Sequence, residues 1–176
     1  AAATDALARA DAATLAVFGT GAQAEAHVRA LRHVRDFQRV VIWGRSPATA
    51  EVLASRLSSE LGLPVEAEPD GQRAAHAADV ICTVSGAAEP ILFGSWVRAG
   101  THVNLVGSSY LGPVEVDSEL VIAAWYIADY RPGVLAQAAE LHVAREAGRV
   151  SDAHVAGEIG EVFAGTIAGR ERADQI

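Results

Sequence analysis

The strongest constraint on the fold is a short segment that joins an apolar run directly to a group of small residues. Residues 15–24 read LAVFGTGAQA, with Gly19, Gly21 and Ala24 in the spacing G-x-G-x-x-A. Because glycine has no Cβ, Gly19 can make a tight turn, and Gly21 can let backbone N–H groups approach a pyrophosphate at the start of the following helix. Ala24 is small enough to let this helix pack closely on the strand. A helical pattern and a second apolar run at 39–43 complete a βαβ unit. The segment therefore predicts a dinucleotide-binding turn.

Apolar runs of strand length alternate with helical patterns along the chain. The runs lie at 14–18, 39–43, 79–84, 101–106 and 125–129, with a shorter candidate at 64–67. This alternation is typical of α/β proteins, and it predicts a Rossmann-type, doubly wound, mainly parallel sheet with helices on both faces. No linker or internal repeat divides the chain, so residues 1–176 are expected to form one dinucleotide-binding domain.

Two helices can be outlined in more detail. Ser46 is a suitable N-cap and Pro47 suits the first helical position, so a helix is predicted to begin at Pro47. Its apolar stripe consists of Ala50, Leu53, Ala54 and Leu57. The helix after the glycine turn is expected to cover the sheet with Ala26, Ala30, Leu31 and Val34.

Composition excludes several classes of partner. A net charge of −8 argues against nucleic acid or an anionic membrane, because both require a basic surface. There is no run of about 18 apolar residues and no leader-like segment, so no membrane span is predicted and a cytoplasmic location is expected. Cys82 lies inside an apolar run, which predicts a buried strand residue rather than a nucleophile.

The histidines and isolated acids give no sign of a metal centre or a catalytic carboxylate pair. The six histidines show no ligand pair on one helical turn, so no metal site is predicted. His27 is expected to pack or form a hydrogen bond near the glycine turn, and His102 to lie in the core. Asp79, Glu115 and Asp117 stand at the starts of predicted elements, where acids usually cap a helix or face solvent.

Candidate cofactor-binding residues follow the predicted strands. In a doubly wound sheet the ligand lies across the carboxyl ends of the strands, so the residues just after each strand are the ones expected to contact it. These candidates are Gly19, Thr20, Gly21, Ala22 and Gln23 after the first strand, Arg45 and Ser46 after the second, Thr83, Val84 and Ser85 after the fourth, and Val106, Gly107 and Ser108 after the fifth.

The end of the second strand indicates which dinucleotide is bound. An NAD-preferring domain usually has Asp or Glu there, whereas this chain has the sequence WGRS at 43–46. The planar fork of Arg45 can pair with a 2′-phosphate and Ser46 can add a hydroxyl donor, so NADP(H) is expected to be preferred over NAD(H). The alternative is that Arg45 is simply a solvated surface arginine.

Several motifs in order resemble a known family. They are GTGAQA at 19–24 with His27, WGRSP at 43–47, ADVI at 78–81, GTHVNLVGSS at 100–109, EVD at 115–117 and GEIGEV at 157–162 followed by Gly165, Gly169 and Arg170. Together they resemble the ornithine cyclodeaminase/μ-crystallin family over nearly the whole chain.

The resemblance implies a dimeric oxidoreductase or lyase that acts on small α-amino acids or cyclic imines. In that family the Rossmann domain is paired with a domain for substrate binding and dimerisation, built mainly from the N-terminal part of the chain and a final helix. That domain is expected to lie outside this sequence, which opens on alanines and contains no methionine. By itself the chain is expected to bind cofactor without turnover, and a homodimer is expected to form through the second domain.

The resemblance also identifies Ser109 as the candidate catalytic residue. Cyclodeaminases of the family have an aspartate at this position and a lysine where this chain has Pro113. A serine hydroxyl cannot act as a carboxylate base near neutral pH, and no neighbouring base is evident. Serine here is similar to the ketimine reductase branch, in which a hydroxyl would orient substrate or water during hydride transfer. The alternative is that Ser108 and Ser109 only turn the chain and cap backbone groups.

Three functions follow as hypotheses. The first is the NAD(P)-binding domain of an oxidoreductase that reduces a cyclic imine or interconverts an amino acid and its oxo acid. The second is a cyclodeaminase that recycles bound NAD, which Arg45 and Ser109 both disfavour. The third is a non-catalytic protein that uses the dinucleotide to shape a pocket for another small ligand.

Overall fold

The computed structural model describes residues 1–108 and 110–176. The strands are Thr14–Phe18 (β1), Arg39–Trp43 (β2), Val65–Ala67 (β3), Val80–Thr83 (β4), His102–Leu105 (β5), Tyr126–Ala128 (β6) and Val155–Glu158 (β7). The α-helices are Ala2–Leu7 (α1), Ala22–Leu31 (α2), Pro47–Leu61 (α3), Gly71–Ala77 (α4), Ser118–Ala123 (α5), Arg131–Gln137 (α6), Ala139–Glu146 (α7) and Ile159–Phe163 (α8). Short 3-10 turns lie at Gly94–Trp96 and Asp152–His154.

The main sheet is the one predicted from the alternating pattern. Five parallel strands are ordered β3-β2-β1-β4-β5, which is the Rossmann-type doubly wound arrangement. The strand order reverses between β1 and β4, and in register Phe18 stands opposite both Trp43 and Thr83. The carboxyl ends of the three central strands therefore lie level with one another, and a crevice at this edge is where such sheets bind ligands.

The apolar run at 125–129 forms a strand, but not one of the main sheet. β6 pairs in parallel with β7 in a separate two-stranded sheet, with a register irregularity next to Tyr126. The expectation that this run extends the doubly wound sheet is therefore wrong. The helix α1 and the strand β7 were not predicted, because Ala2–Leu7 and Val155–Glu158 are short and lack a distinctive apolar period.

Helices cover both faces of the main sheet. On one face, Leu15 and Val17 of β1 belong to a core cluster with α2 and α3, while Ala16 and Phe18 point into a second cluster with α4, α5 and α7. Alternate residues of a strand face opposite sides, so each central strand contributes to both cores. A layer of helices on each side is expected for a parallel sheet that is buried on both faces.

The two outlined helices differ in how well their buried faces were predicted. α3 begins at Pro47, the Ser46 hydroxyl accepts a hydrogen bond from the Thr49 N–H at 3.3 Å, and the predicted stripe is buried, so this helix is confirmed. The predicted face of α2 is partly wrong. Its buried residues are Ala24, Val28 and Leu31, whereas Ala26 and Ala30 are exposed. Alanine fits either face of a helix, so the alanine pattern could not define the side that packs.

Across residues 1–108 and 110–176, no helix combines the length and the apolar character needed to cross a membrane.

Candidate functional site

The carboxyl ends of four strands are joined by backbone hydrogen bonds. The Gly19 N–H donates to the carbonyl oxygen of Trp43 at 2.9 Å, the Val84 N–H to that of Phe18 at 2.9 Å, and the Val106 N–H to that of Thr83 at 3.1 Å. These bonds extend the sheet by one residue beyond β1, β4 and β5. They bring together, at one edge, the four segments that the sequence singled out as cofactor-binding.

The turn after β1 has the geometry expected of a phosphate-binding loop. Gly19 has φ +146°, a conformation that side chains disfavour, and a Cβ there would lie 2.8 Å from the Val84 carbonyl oxygen. Gly21 is the N-cap of α2 and is exposed, with open space where a Cβ would be. Ala24, in the first turn of α2, is fully buried, which confirms its predicted packing role. The turn thus leaves the start of a ten-residue helix open towards the crevice.

Residues after β2 lie beside this turn. A Cβ on Gly44 would approach the Thr20 methyl group to 2.5 Å, so the turns after β1 and β2 are in direct contact. Arg45 is exposed, two residues after the end of β2. Ser46 caps α3 and also accepts a hydrogen bond from the Thr49 hydroxyl at 3.0 Å, which leaves its own proton free to be donated.

The segments after β4 and β5 are held together by a side chain that sequence reasoning misplaced. Glu115 is 0% exposed, and its Oε1 accepts hydrogen bonds from the Ser85 N–H at 2.6 Å and the Ser85 hydroxyl at 2.7 Å. Its Oε2 accepts a hydrogen bond from the Gly107 N–H at 2.7 Å. The interpretation of Glu115 as a helix cap or a solvent-facing acid is therefore wrong. Its partners lie up to 30 residues away in sequence, so no local pattern could indicate them.

Three other cofactor candidates have buried side chains. Thr83 is fully buried, Val84 is buried and Ser108 is 3% exposed. The hydroxyl oxygens of Thr83 and Ser108 have no hydrogen-bond partner within the described residues. The catalytic candidate, Ser109, lies outside the described residues.

A cavity of about 520 Å³ runs along the outer edge of β5, between this strand and β6. Ser108 and Glu140 lie at the end nearest the crevice, and Tyr126 also lines the wall. Glu140 is 3% exposed, and burial raises its pKa, opposed by the nearby Ser108 hydroxyl and assisted by the charge of Glu115. Burial also raises the pKa of the Tyr126 hydroxyl. The sequence did not indicate that Ser108, Glu140 and Tyr126 would line one cavity, since Glu140 occurs within an ordinary helical pattern.

Other ionisable residues have structural roles. Asp79 accepts hydrogen bonds from the N–H groups of Ala13 and Thr14, both at 3.0 Å, and pairs with Arg9 at 3.0 Å. Asp79 therefore connects the start of β4 to the start of β1, and is neither a helix cap nor a solvated acid. Asp117 accepts a hydrogen bond from the Leu120 N–H at 3.0 Å, which confirms it as the cap of α5.

The histidines and the cysteine match their predicted positions. His102 is buried, lies 3.3 Å from the Thr4 hydroxyl, and has its pKa lowered to about 4 by burial. His27 Nδ1 lies 2.8 Å from the Gln23 carbonyl oxygen. Cys82 is buried in β4, and burial raises its pKa to about 12. Within the described part of the chain, no three His, Cys, Asp or Glu side chains cluster in a way that could hold a metal ion.

Comparison with known proteins decides the family. The sequence profile of the ornithine cyclodeaminase/mu-crystallin family matches residues 1–176. This chain belongs to that family. The mouse ketimine reductase mu-crystallin is 36% identical over 127 residues, which is 72% of this chain and 39% of the mouse protein.

Solved structures agree with the fold. The Delta(1)-pyrroline-2-carboxylate reductase of Thermococcus litoralis, solved with NADH and L-proline, superposes with a TM-score of 0.96 at 30% identity, over 99% of this chain and 54% of that one. An archaeal alanine dehydrogenase dimer with bound NAD superposes with a TM-score of 0.92 at 29% identity, over 99% of this chain and 53% of that one. The chain spans about half the length of the curated relatives that it matches over nearly its whole length.

Proposed function

We propose that the chain binds a nicotinamide dinucleotide across the carboxyl ends of β1, β2, β4 and β5. The observation that carries this proposal is the turn at Gly19 and Gly21, where a left-handed glycine leads into an open helix N-terminus at the point of strand-order reversal. Family members with NADH or NAD in their solved structures support it. The groups proposed to hold the cofactor are the backbone of residues 19–23, the side chains of Arg45 and Ser46, and the segments 83–85 and 106–108.

We further propose that the intact protein is an NAD(P)-dependent oxidoreductase that acts on cyclic imines or small amino acids. The cofactor supplies a hydride, so this chain has to hold the nicotinamide ring beside the substrate and keep the reacting atoms away from bulk water. The chain itself is proposed to be the cofactor-binding domain, with substrate binding and homodimer formation assigned to other parts of the protein. Alone, it is expected to bind cofactor without turnover, and its cytoplasmic location stays a prediction of the sequence.

An assay of net cofactor oxidation tests this activity against its alternatives. The intact protein is incubated with NADPH or NADH and, in separate samples, with a small cyclic imine carboxylate, with a 2-oxo acid and ammonium, or with a diamino acid. The loss of reduced cofactor is followed by absorbance, and substrate conversion by chromatography. An imine reductase consumes one cofactor for each substrate reduced. A cyclodeaminase regenerates its cofactor and shows no net loss, and a protein that only binds the dinucleotide shows neither oxidation nor substrate conversion. Either of the last two results would overturn the proposed activity.

Arg45 is proposed to recognise a 2′-phosphate and so to favour NADP(H). Its exposed side chain stands at the end of β2, where no acid is present to bind a ribose 2′-hydroxyl. For Arg45→Ala we expect a loss of NADPH affinity of about tenfold or more, typical of a charge-assisted contact, and little change for NADH. Titration with both cofactors measures this. Arg32→Ala, which removes an exposed charge at the far end of α2, is the control, and equal losses for NADPH and NADH in Arg45→Ala would contradict the assignment.

Ser109 is proposed to orient the substrate or a water molecule by hydrogen bonding. The proposal rests on its position in the family motif at 100–109, directly after Ser108 in the sequence. In the intact enzyme, Ser109→Ala should lower kcat by about tenfold or more, while NADPH affinity and Tm stay close to the wild-type values. Steady-state kinetics with the imine measure this change. An unchanged kcat would make Ser109 only a residue of the turn.

A further inference from the structure

The buried carboxylate of Glu115 links the two segments that follow β4 and β5. We propose that Glu115 is a positioning residue for the nicotinamide half of the cofactor, because it fixes the spacing between Ser85 and Gly107 at the crevice. This inference rests on the proposed cofactor binding. Glu115 would act indirectly, through Ser85 and Gly107, and would not touch the cofactor itself.

The hydrogen bonds of Glu115 require a group that only accepts. Both carboxylate oxygens are used: Oε1 receives two donors from Ser85 and Oε2 receives the Gly107 N–H. An amide of the same size has one oxygen and one NH₂ group, so it would set a donor against a donor on one of the two sides. Glu115→Gln therefore keeps the volume of the side chain and breaks the link to one segment.

The linked segments are packed closely against each other. A Cβ on Gly107 would overlap the Ser85 carbonyl oxygen and lie 2.5 Å from the Glu115 carboxylate. The Ser85 hydroxyl donates to Glu115 and also accepts a hydrogen bond from the Ala87 N–H at 3.2 Å. Because the hydroxyl proton is used internally, Ser85 has no side-chain donor left for a ligand, and the position of the segment depends on Glu115.

The two halves of the crevice should respond differently when this link is broken. A dinucleotide lies across a doubly wound sheet with one nucleotide on each half. Gly19, Gly21 and Arg45 follow β1 and β2, on the half proposed to hold adenosine, and they make no hydrogen bond to Glu115. Ser85 and Gly107 follow β4 and β5, on the half proposed to hold nicotinamide. A change in the spacing between these two segments should weaken binding of the intact dinucleotide and leave binding of its adenosine fragment unchanged.

The experiment compares NADPH with 2′,5′-ADP, which contains the adenosine half alone. In the intact protein, Glu115→Gln is expected to weaken NADPH binding by about tenfold and to change 2′,5′-ADP binding by less than about twofold, as measured by calorimetric titration. Asp117→Asn is the matched control. It makes the same carboxylate-to-amide change two residues away, where the side chain accepts from the Gly94 and Leu120 N–H groups, and it should leave both affinities unchanged.

The outcomes separate this inference from the proposed function. If the wild-type protein binds neither NADPH nor NADH, cofactor binding at this site is wrong; if it binds NADH alone, the same comparison is made with NADH and 5′-AMP. If it binds both NADPH and 2′,5′-ADP, and Glu115→Gln either retains full NADPH affinity or loses both compounds equally, the positioning role is wrong. Should Glu115→Gln fail to fold, Ser85→Ala removes only the hydroxyl arm. It should produce a smaller loss for NADPH with none for 2′,5′-ADP, and equal effects on both would again overturn the inference.

Discussion

Gly19→Ala is expected to lower both the stability of the protein and its affinity for cofactor. The glycine has φ +146°, and the new Cβ would stand 2.8 Å from the Val84 carbonyl oxygen and 3.0 Å from a Val84 methyl group. The backbone strain and this overlap together should lower the free energy of unfolding by about 2 to 4 kcal/mol. Relief of the overlap would also separate the end of β1 from β4, so NADPH affinity should fall by about tenfold or more even in the fraction that remains folded.

Chemical denaturation and NADPH titration of the same preparation measure both effects. Gly160→Ala is a suitable control, because Gly160 lies in α8 with open space where its Cβ would be. Alanine is favoured over glycine inside a helix, so this control should be neutral or slightly stabilising. A Gly19→Ala protein with wild-type stability would show that the turn can relax without cost, which contradicts the strain argument.

Gly21→Ala is expected to abolish most of the cofactor affinity while leaving stability unchanged. Gly21 does not have a positive φ, and apart from its neighbours in the chain no atom of the described residues lies within 4 Å of the position that its Cβ would take. The protein should therefore fold normally. The same open space lies at the start of α2, where the pyrophosphate is proposed to bind, so a methyl group would displace the phosphates from the backbone N–H groups. A loss of about 30-fold or more in NADPH affinity is expected, which corresponds to roughly 2 kcal/mol.

The contrast between the two glycines makes this prediction specific. Thermal unfolding of Gly21→Ala without ligand should match the wild-type curve, and the stabilisation that NADPH adds to the wild-type protein should be largely lost. Gly21→Ala that binds NADPH normally would place the phosphates elsewhere. A Gly21→Ala protein of low stability would instead show that the glycine is needed for folding, contrary to the open space around it.

The features predicted from the sequence are those determined by local chemistry. The turn at Gly19 depends on a backbone conformation that glycine favours, and the start of α3 depends on Ser46 and Pro47, which are adjacent in the chain. The central strands β1, β2 and β4 were predicted because each is an apolar run whose residues are mostly buried. Together these local signals were sufficient to predict the doubly wound sheet and the edge at which the candidate site lies.

The features that were missed depend on contacts between distant parts of the chain. Glu115 precedes a helix, as many capping acids do, yet its partners Ser85 and Gly107 belong to other segments. The strand β6 reads as one more strand of the sheet, and only its pairing with β7 shows that it belongs to another. In α2 the alanines are apolar enough for either face, and tertiary packing buries Val28 while it leaves Ala26 and Ala30 exposed. In each case the residue type was informative, but its partner was not visible in the sequence.

A crystal structure of the protein with NADPH would show directly whether the cofactor binds at the glycine turn. We expect the pyrophosphate to lie against the start of α2, within hydrogen-bond distance of backbone N–H groups of residues 20–23. The 2′-phosphate should lie beside Arg45 and the nicotinamide between the segments at 83–85 and 106–108. A dinucleotide bound elsewhere, such as in the cavity beside Glu140 with no contact to the glycine turn, would show that Gly19 and Gly21 do not form its binding site.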